Sequence, residues 1–387
     1  MRILLVNEGN VERAGVCLFM YQWLHILTRY FADNEITVYF RAGIKDEPLK
    51  KAFEDDGIRI IAGGHPIEGT SADQANRNAI KSDLKKILKE EVDIVHINSA
   101  VIGFTSIVLN EAKKANVPIR ICHAHGKFDE SKAGKLIHDM LRIFIRREAT
   151  LYAGCSKSAG EYMFGKKGIK SGKWRFVPNA IDTGYFRFDG EKRAIRRQEI
   201  GIGSKDLLLG AVGYLEEVKN HSFLIDVVGS LKKRNIQTKL VIIGTGSLIN
   251  ELSQKIHAME LEHNIILYGK ADNVAEWLSA MDIFLMPSLS EGLPLSAVEA
   301  QASGLPCLLS DHISDEVDIS PYISHLPIDQ GVDVWVEKIK EIYNSEKNTE
   351  NRFFAANMVY TAGFDWSALK AEIIRLYGLS FSETKKS

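Results

Sequence analysis

Short apolar runs alternate with longer amphipathic stretches along almost the whole chain. The runs in the first half are solidly apolar, as is typical of strands buried on both faces of a parallel sheet. They are RILLVN (2–7), ITVYF (36–40), IRIIAG (58–63), VDIVHIN (92–98), IRICHAH (119–125) and TLYAGCS (150–156). The stretches between them, such as 15–31 and 73–91, are long enough for crossover helices. This alternation predicts βαβ units and a doubly wound parallel sheet.

A second series of apolar runs predicts a second sheet of the same kind. These runs are DLLLGAVGYL (206–215), TKLVIIGTG (238–246), NIILYGK (264–270), DIFLMPS (282–288) and LPCLLSD (305–311). The polar, basic stretch 187–205 separates the two series and is interpreted as a linker. The sequence therefore predicts two Rossmann-like α/β domains, 1–186 and 187–365, that face each other across a cleft. Residues 366–387 are predicted to form a C-terminal helix, whose packing on the first domain stays open, and a disordered tail.

Composition narrows the class of protein without identifying it. The chain has 387 residues, 45% of them hydrophobic, and its 49 basic and 50 acidic residues leave a net charge of −1. That balance argues against a nucleic-acid partner. The four cysteines form no CxxC pair, so we expect neither a disulfide framework nor a zinc site. The first apolar run is too short for a signal peptide, and no apolar stretch approaches 18 residues, which predicts a cytoplasmic protein.

The stretch PSLSEGLPLSAVEAQASGLP follows a buried strand and contains two glutamates, Glu291 and Glu299. Its turn residues Gly292, Leu293 and Pro294 place free backbone N–H groups at the start of a helix, where a phosphate or sugar oxygen can bind. A carboxylate is a good hydrogen-bond acceptor for the vicinal diol of a ribose. The alternative is that Glu291 caps a turn and Glu299 is a solvated helix residue. The small residues around the pair favour a ligand site.

The pattern E-G-x-P-x-x-x-x-E after a buried strand resembles the signature of family 4 retaining glycosyltransferases, which have the GT-B fold. The segments AGCSK (153–157) and VPNAID (177–182) are similar to the matching segments of bacterial exopolysaccharide and capsular polysaccharide glycosyltransferases. The resemblance implies that Glu291 contacts the sugar of a nucleotide-diphospho-sugar donor. It implies that Glu299 holds the ribose diol of that donor, for which a UDP-sugar is the favoured candidate.

The segment VGYLEEVKNHSFLI resembles the family's diphosphate-binding loop. Gly213, Leu215, Lys219 and Asn220 match the family pattern, whereas Tyr214 stands where the family has an arginine. The resemblance implies that Lys219 neutralises the departing diphosphate, since a fixed cation there lowers the barrier to bond breaking. The alternative is an ordinary exposed lysine. Losing one cation should weaken this stabilisation.

Four further donor-binding residues rest on the same resemblance. Gly244 and Gly246 form a glycine turn after a strand, although a bare GxG is a weak signal and lacks the full GxGxxG of a dinucleotide dehydrogenase. Gly15 keeps one glycine of the family's Gly-Gly pair near the donor phosphates, or is simply a glycine at a helix N-terminus. Lys270 lies where the family often contacts the base.

His123 and His125 end the fifth strand of the first domain, and residues at i and i+2 of a strand share a face. A zinc site is one interpretation, but no cysteine or carboxylate spacing completes it. A buried, hydrogen-bonded histidine is another. The resemblance implies that one of the two approaches the reacting hydroxyl or the donor sugar. His123 is the favoured one, although the spacing does not decide between them.

The segment 127–147 is rich in basic residues and carries an apolar face. Such a helix can lie on an anionic membrane surface, or it can pack on the core with a solvated basic side. Family members with lipid-linked acceptors use the first domain for membrane contact. That resemblance favours peripheral association at the inner face of the cell membrane.

These features and the family resemblance together predict a glycosyltransferase that moves a hexose from a nucleotide-diphospho-sugar to a hydroxyl of a glycan or lipid-linked acceptor. The resemblance alone implies that the transfer is retaining. The sequence has no D-x-D pair, so we expect no metal and no cofactor, with Lys219 and helix N–H groups acting in place of the metal. Two alternatives remain: a nucleotide-sugar 2-epimerase of the same fold, and a non-catalytic partner that binds nucleotide sugar. Product analysis separates the three.

Overall fold

The computed structural model describes residues 1–11, 15–31, 33–65, 74–126, 132–203, 206–345 and 352–379. The predicted disordered tail lies beyond the last of these ranges. The chain divides into two compact units. Unit 1 consists of Met1–Asn179 with Ser367–Ser387, and unit 2 of Ala180–Trp366.

Unit 1 is built on a parallel sheet of seven strands with the order β3-β2-β1-β4-β5-β6-β7. The strands are β1 (Arg2–Asn7), β2 (Glu35–Phe40), β3 (Arg59–Ala62), β4 (Ile94–Ser99), β5 (Ile119–Ala124), β6 (Leu151–Gly154) and β7 (Trp174–Phe176). The helices between them are α1 (Gly15–Tyr30), α2 (Glu47–Asp55), α3 (Gln74–Ile87), α4 (Ile102–Lys114), α5 (Lys132–Glu148) and α6 (Lys157–Ile169). The strand order reverses between β1 and β4, which is where open sheets of this kind bind ligands.

Unit 2 repeats the architecture with six parallel strands in the order β10-β9-β8-β11-β12-β13. The strands are β8 (Leu207–Val212), β9 (Thr238–Ile243), β10 (Ile265–Gly269), β11 (Ile283–Met286), β12 (Cys307–Ser310) and β13 (Ile323–Leu326). The helices are α7 (Gly190–Glu199), α8 (His221–Lys233), α9 (Ile249–Ala258), α10 (Val274–Ala280), α11 (Leu295–Ala302), α12 (Asp333–Asn344) and α13 (Arg352–Thr361), and α14 (Trp366–Tyr377) follows. Here the order reverses between β8 and β11.

The core of each unit follows from the apolar runs. Every residue of β4 is buried, and β1 is buried from Ile3 onward. In unit 2, β11 and β12 are buried throughout. Side chains on both faces of these strands pack against the helices, because a parallel sheet is covered on both sides. The prediction of two parallel α/β domains is confirmed.

The structure corrects the interpretation of 187–205 as a linker. This stretch contains α7, in which Asp189 caps the first turn through hydrogen bonds of 3.0 Å from the N–H groups of Glu191 and Lys192. Arg193 and Arg197 then bind the Asp282 carboxylate at 2.6 and 3.1 Å. The basic residues that suggested a solvated linker thus join α7 to unit 2.

Two short strands, β7 and β13, are absent from the predicted set. Both lie at a sheet edge and none of their residues is fully buried. An edge strand needs only one apolar neighbour, so it carries no solid apolar run. The pattern that identifies central strands therefore misses these two.

Candidate functional site

The loops after β8 and β9 lie directly against each other at the carboxyl edge of the unit 2 sheet. The Gly213 N–H donates to the Ile243 carbonyl at 3.0 Å. A Cβ atom on Gly244, whose φ is +152°, would lie 1.8 Å from the Gly213 carbonyl oxygen, and one on Gly246 would lie 2.5 Å from the Leu215 oxygen. Any side chain at Gly244 or Gly246 would force the loops apart. The two glycines are therefore explained by close backbone approach.

Lys219 and Glu291 come together from two loops. Lys219 ends a short 3₁₀ turn after β8, and its Nζ lies 2.5 Å from Glu291 Oε1 in the loop after β11. The next residue, Asn220, has the left-handed φ of 54° and donates from Nδ2 to the Pro287 carbonyl at 3.2 Å. These contacts fix both charged groups at the point where the strand order of unit 2 reverses. The pair is mostly buried, which strengthens its attraction.

Glu299 is a different kind of carboxylate from Glu291. It lies on α11, is only partly exposed, and has no hydrogen bond or ion pair with the described residues. Burial without a partner disfavours the charged form and raises the pKa of Glu299 to about 7. A solvated helix residue would keep its ordinary pKa. Glu299 is thus an acceptor with unused hydrogen-bonding capacity.

The turn before α11 contributes backbone N–H donors rather than polar side chains. Leu293 and Pro294 are buried and Gly292 is exposed. Pro294 is the N-cap residue of α11 and provides no side-chain hydrogen bond to the helix. The first N–H groups of a helix need acceptors. We call Lys219, Glu291, Glu299 and this turn the charged edge.

Two positions of the predicted donor site are more exposed. Tyr214 follows Gly213 in the β8 loop and its side chain is 45% exposed. Lys270 is exposed and follows Gly269, whose carbonyl accepts from the Gly244 N–H at 2.8 Å. The loops that carry Lys270 and the Gly244 turn are therefore neighbours, although β10, which Lys270 follows, is two strands away from β8 in the sheet.

His123 and His125 lie at the carboxyl edge of the unit 1 sheet. Their rings are stacked, with centroids 4.3 Å apart, and both lie against Phe19. His123 is buried and contacts His96 behind it, whereas His125 Nε2 lies 3.0 Å from the Asn98 side-chain oxygen. Burial lowers the pKa of His125 to about 3 and that of His123 well below its usual value. Both rings are neutral near pH 7. We call His96, His123 and His125 the histidine stack.

Glu8 is a residue that sequence reasoning missed. It follows β1 and accepts hydrogen bonds of 3.0 Å from the N–H groups of Ala100 and Val101, and one from the Ser99 hydroxyl. These groups precede α4, so Glu8 occupies the N-terminus of that helix. A carboxylate after the first strand of a doubly wound sheet is the signal that could have found it.

The predicted basic segment 127–147 is described only from residue 132, since 127–131 lie outside the described ranges. The sequence grouped its apolar residues on one face, and the structure divides them. Leu141, Phe144 and Ile145 pack on the core of unit 1. An outer stripe points to solvent; it consists of Leu136, Ile137, Met140 and Ile143.

Two remaining predictions concern Gly15 and membrane-spanning segments. Gly15 begins α1, directly after residues outside the described ranges, so its neighbours are not described. Within the described part of the chain, no helix has both the length and the apolar character needed to cross a bilayer.

Comparison with family models matches both halves of the chain. Residues 22–185 match the model described as Glycosyltransferase Family 4, and residues 192–357 match the model described as Glycosyl transferases group 1. The division between the two matches lies near the division between the two units at Asn179 and Ala180.

Curated relatives with similar sequences are also glycosyltransferases. The putative glycosyltransferase EpsF of Bacillus subtilis is 29% identical over 85% of this chain and 86% of its own length. The capsular polysaccharide biosynthesis glycosyltransferase CapH of Staphylococcus aureus is 23% identical over 71% and 76%. An Escherichia coli UDP-Gal:α-D-GlcNAc-diphosphoundecaprenol α-1,3-galactosyltransferase is 29% identical over 59% and 60%.

Solved structures share the fold over nearly the whole chain. Anabaena Alr3699/HepE in complex with UDP superposes with a TM-score of 0.75 at 16% identity, covering 98% of this chain and 100% of that one. WaaG, a glycosyltransferase involved in lipopolysaccharide biosynthesis, superposes with a TM-score of 0.67 at 15% identity, covering 97% and 100%. The architecture is that of the GT-B fold.

Proposed function

The chain belongs to the family 4 and group 1 glycosyltransferases, and from this premise we propose that it moves a sugar from a nucleotide-diphospho-sugar to an acceptor hydroxyl. A UDP-sugar is the donor we favour, since the HepE structure contains UDP. The acceptor is a glycan or a lipid-linked oligosaccharide of a cell-surface polysaccharide pathway. CapH and the diphosphoundecaprenol galactosyltransferase support this class of acceptor.

The unpartnered Glu299 carboxylate beside the Lys219–Glu291 pair is the observation that carries the proposal. A carboxylate that is only partly exposed and has no donor among the described residues keeps hydrogen-bonding capacity for a ligand. The two hydroxyls of a ribose are such donors. Glu299 therefore binds the ribose and Glu291 the donor sugar, while Lys219 lies on the side of the diphosphate.

Charge stabilisation at the leaving group is the main task of the charged edge. When the bond from the sugar C1 to the β-phosphate oxygen breaks, negative charge grows on the phosphate and positive charge on the sugar ring. Lys219 and the backbone N–H groups of Gly292 and Leu293 stabilise the phosphate in place of a metal ion. The acceptor oxygen forms the new bond to C1 with retention. Its proton, which is hydrogen-bonded to a histidine of unit 1 before the attack, passes to the departing diphosphate.

The geometry of unit 1 favours His125 over His123 as the histidine that meets the acceptor hydroxyl. The sequence favoured His123, but this ring is buried behind His125 and its Nδ1 contacts His96. The Asn98 amide donates to the His96 carbonyl at 3.4 Å, so its oxygen faces His125 and accepts from Nε2. The Nδ1 lone pair of His125 then has no partner in the described chain and can accept from a hydroxyl.

A non-catalytic nucleotide-sugar-binding protein is the second candidate. It is favoured by Tyr214, which replaces the family arginine and leaves Lys219 as the main cation of the diphosphate loop. Turnover with product analysis separates the two candidates, because only a transferase forms a new glycosidic bond.

Thermal stabilisation by nucleotides tests the donor site. A ligand at a hundred times its Kd adds about 2.7 kcal/mol to the free energy of unfolding. We expect UDP or a UDP-sugar to raise the Tm of the wild type and of Glu341→Gln, a surface control on α12. Glu299→Ala should abolish the shift. A larger response to GDP or ADP would change the donor base, and no response to any nucleotide would contradict the proposal.

Peripheral membrane contact through α5 is the last part of the proposal. The outer stripe exposes apolar side chains. Exposed basic residues lie on the same helix, on α6, which packs against it, and in the segment before β7; they are Lys135, Arg147, Lys166, Lys167, Lys170 and Lys173. Apolar insertion together with attraction to anionic lipid is the usual basis of such binding.

Vesicle sedimentation with paired variants tests this contact. Ile137 on α5 and Ile195 on α7 are both 61% exposed, so replacing each with Asp removes the same exposed side chain from two surfaces. We expect Ile137→Asp to weaken binding to phosphatidylglycerol-containing vesicles by at least fivefold and Ile195→Asp to leave it unchanged. Equal effects of the two variants, or equal binding to neutral vesicles, would contradict the proposal.

A further inference from the structure

The histidine stack is connected to the C-terminal helix by a chain of buried hydrogen bonds. Tyr377, in the last turn of α14, is buried, and its hydroxyl oxygen lies 3.0 Å from the Trp23 indole Nε1. The same oxygen lies 2.8 Å from His96 Nδ1, and His96 Nε2 lies 3.2 Å from His123 Nδ1. The chain therefore runs from α14 through β4 to β5.

The chemistry of the groups gives this chain one direction. An indole N–H is only a donor, so the Tyr377 oxygen accepts from Trp23. The hydroxyl proton of Tyr377 then needs an acceptor, and His96 Nδ1 is the one that the described residues provide. Leaving a buried hydroxyl proton without a partner would be unfavourable. Tyr377 therefore donates to His96 Nδ1.

The direction passes from one ring to the next. His96 is neutral because burial lowers its pKa to about 3, so a ring that accepts at Nδ1 carries its proton at Nε2. That Nε2–H donates to His123 Nδ1. Because the neutral His123 ring accepts at Nδ1, it carries its proton at Nε2. This Nε2 atom lies near the main chain of Val177 but makes no hydrogen bond of ordinary geometry.

The opposite tautomer of His123 would be unfavourable in this arrangement. A proton on His123 Nδ1 would face the Nε2–H of His96 across 3.2 Å, so one of the two rings would have to rotate. The His123 ring is parallel to His96 within 5° and stacks on His125 within 25°. A rotation of His123 would therefore move the ring on which His125 rests.

We propose that Tyr377 is a positioning residue for the transfer reaction: through His96 it fixes His123 as the Nε2–H tautomer, and the fixed His123 ring holds His125 with its Nδ1 lone pair toward the acceptor hydroxyl. The role in transfer rests on the proposed function. The tautomers themselves do not, because they follow from Trp23, Tyr377 and the two buried rings alone.

The test compares Tyr377→Phe with Tyr152→Phe. The second variant also removes a buried tyrosine hydroxyl of unit 1, one that donates to the Arg146 carbonyl, but it lies outside the chain of hydrogen bonds. Histidine labelled with ¹⁵N reports the protonated ring nitrogen directly. In the wild type and in Tyr152→Phe we expect single Nε2–H tautomers for His96 and His123. In Tyr377→Phe we expect a mixture at both rings.

Kinetics then connect the tautomers to function. With UDP-glucose as the first donor probe and product release as the readout, Tyr377→Phe should lower kcat about tenfold, as loss of a partner that orients a histidine often does. The KM for the donor and the Tm shift with UDP should stay unchanged, because the donor site belongs to unit 2. Tyr152→Phe should keep the wild-type kcat.

Each outcome bears on one claim. An Nδ1–H tautomer in the wild type, or unchanged tautomers in Tyr377→Phe, would overturn the directed chain. Mixed tautomers with an unchanged kcat would overturn the positioning role. Failure of every nucleotide to bind would overturn the proposed function, and with it the role in transfer, while the ¹⁵N spectra would still decide whether the directed chain exists.

Discussion

The residues at the carboxyl ends of the central strands differ in chemistry between the two units. Unit 2 presents the charged edge, where Lys219 and Glu291 form an ion pair and Glu299 is a carboxyl group that titrates near neutrality. Unit 1 presents the histidine stack, whose buried rings are uncharged at pH 7. A diphosphate needs fixed charge, whereas a hydroxyl needs an oriented neutral acceptor. One sheet architecture thus supports two kinds of recognition, depending on the side chains that follow the strands.

The largest effect should come from removing the fixed cation of the charged edge. We expect Lys219→Ala to lower kcat by about 10²- to 10³-fold, comparable to the loss of one charge-stabilising donor in other enzymes. Lys255→Ala is the control, because Lys255 also pairs with a carboxylate of unit 2, Asp226, at 2.7 Å. Steady-state kinetics measure both variants. A kcat of Lys219→Ala within threefold of the wild type would place the leaving group elsewhere.

The histidine stack should separate function from stability. His125→Ala removes a ring at the sheet edge, and we expect kcat to fall about 10²-fold with a small change in Tm. His123→Ala removes a buried ring that contacts His96 and Phe19, so we expect a loss of about 2–4 kcal/mol in unfolding free energy. Urea unfolding and kinetics on both variants provide the comparison. The reverse pattern would restore His123 as the residue nearest the acceptor.

The contrast between the edges also explains what the sequence could predict. Glu291, Glu299 and the turn between them lie in one continuous segment, so their spacing could be read directly, and Lys219 lies in a second short motif. The central strands of both sheets were predictable for a similar reason, because a strand buried on both faces has a continuous run of apolar residues.

The rest depends on contacts between distant parts of the chain. Tyr377 meets Trp23 across 354 positions, and no local pattern connects them. The division of α5 into an inner and an outer apolar face depends on what packs against it, and the helix period alone does not reveal that. The stretch 187–205 was misinterpreted because its arginines bind Asp282, a residue that is distant in the sequence and comes close only in the folded protein.

The ionisation of Glu299 should make the stability of the folded protein depend on pH. Its pKa lies above the unfolded value of 4.5, so the folded protein keeps a proton that the unfolded chain has lost. Stability contributed by this group is complete below about pH 4.5 and is lost as the pH rises through about 7, by at most about 3 kcal/mol. We expect Glu299→Gln, which cannot ionise, to unfold at a higher temperature than the wild type at pH 8 and not at pH 4.5.

The same titration should appear in donor binding with the opposite sign. A ribose diol donates to the ionised carboxylate, so the affinity for UDP-glucose should rise by up to tenfold per pH unit below pH 7 and level off above it. Isothermal titration between pH 5.5 and 8.5 measures this dependence. Glu299→Gln should bind weakly with no such slope, and a slope that persists in the variant would assign the titration to another group.

We expect the smallest effect at Tyr214, which stands where the family resemblance implies an arginine. The side chain is 45% exposed, so an arginine fits there without displacing the core. A second cation beside a growing negative charge should lower the barrier by about 1 kcal/mol, because the site is open to solvent and screened. We therefore expect Tyr214→Arg to raise kcat about three- to tenfold. Tyr322→Arg, at a comparably exposed tyrosine of unit 2, should change nothing. A decrease in kcat for Tyr214→Arg would mean that the tyrosine itself contacts the donor, and the difference between the two edges would then include an aromatic contact as well as charge.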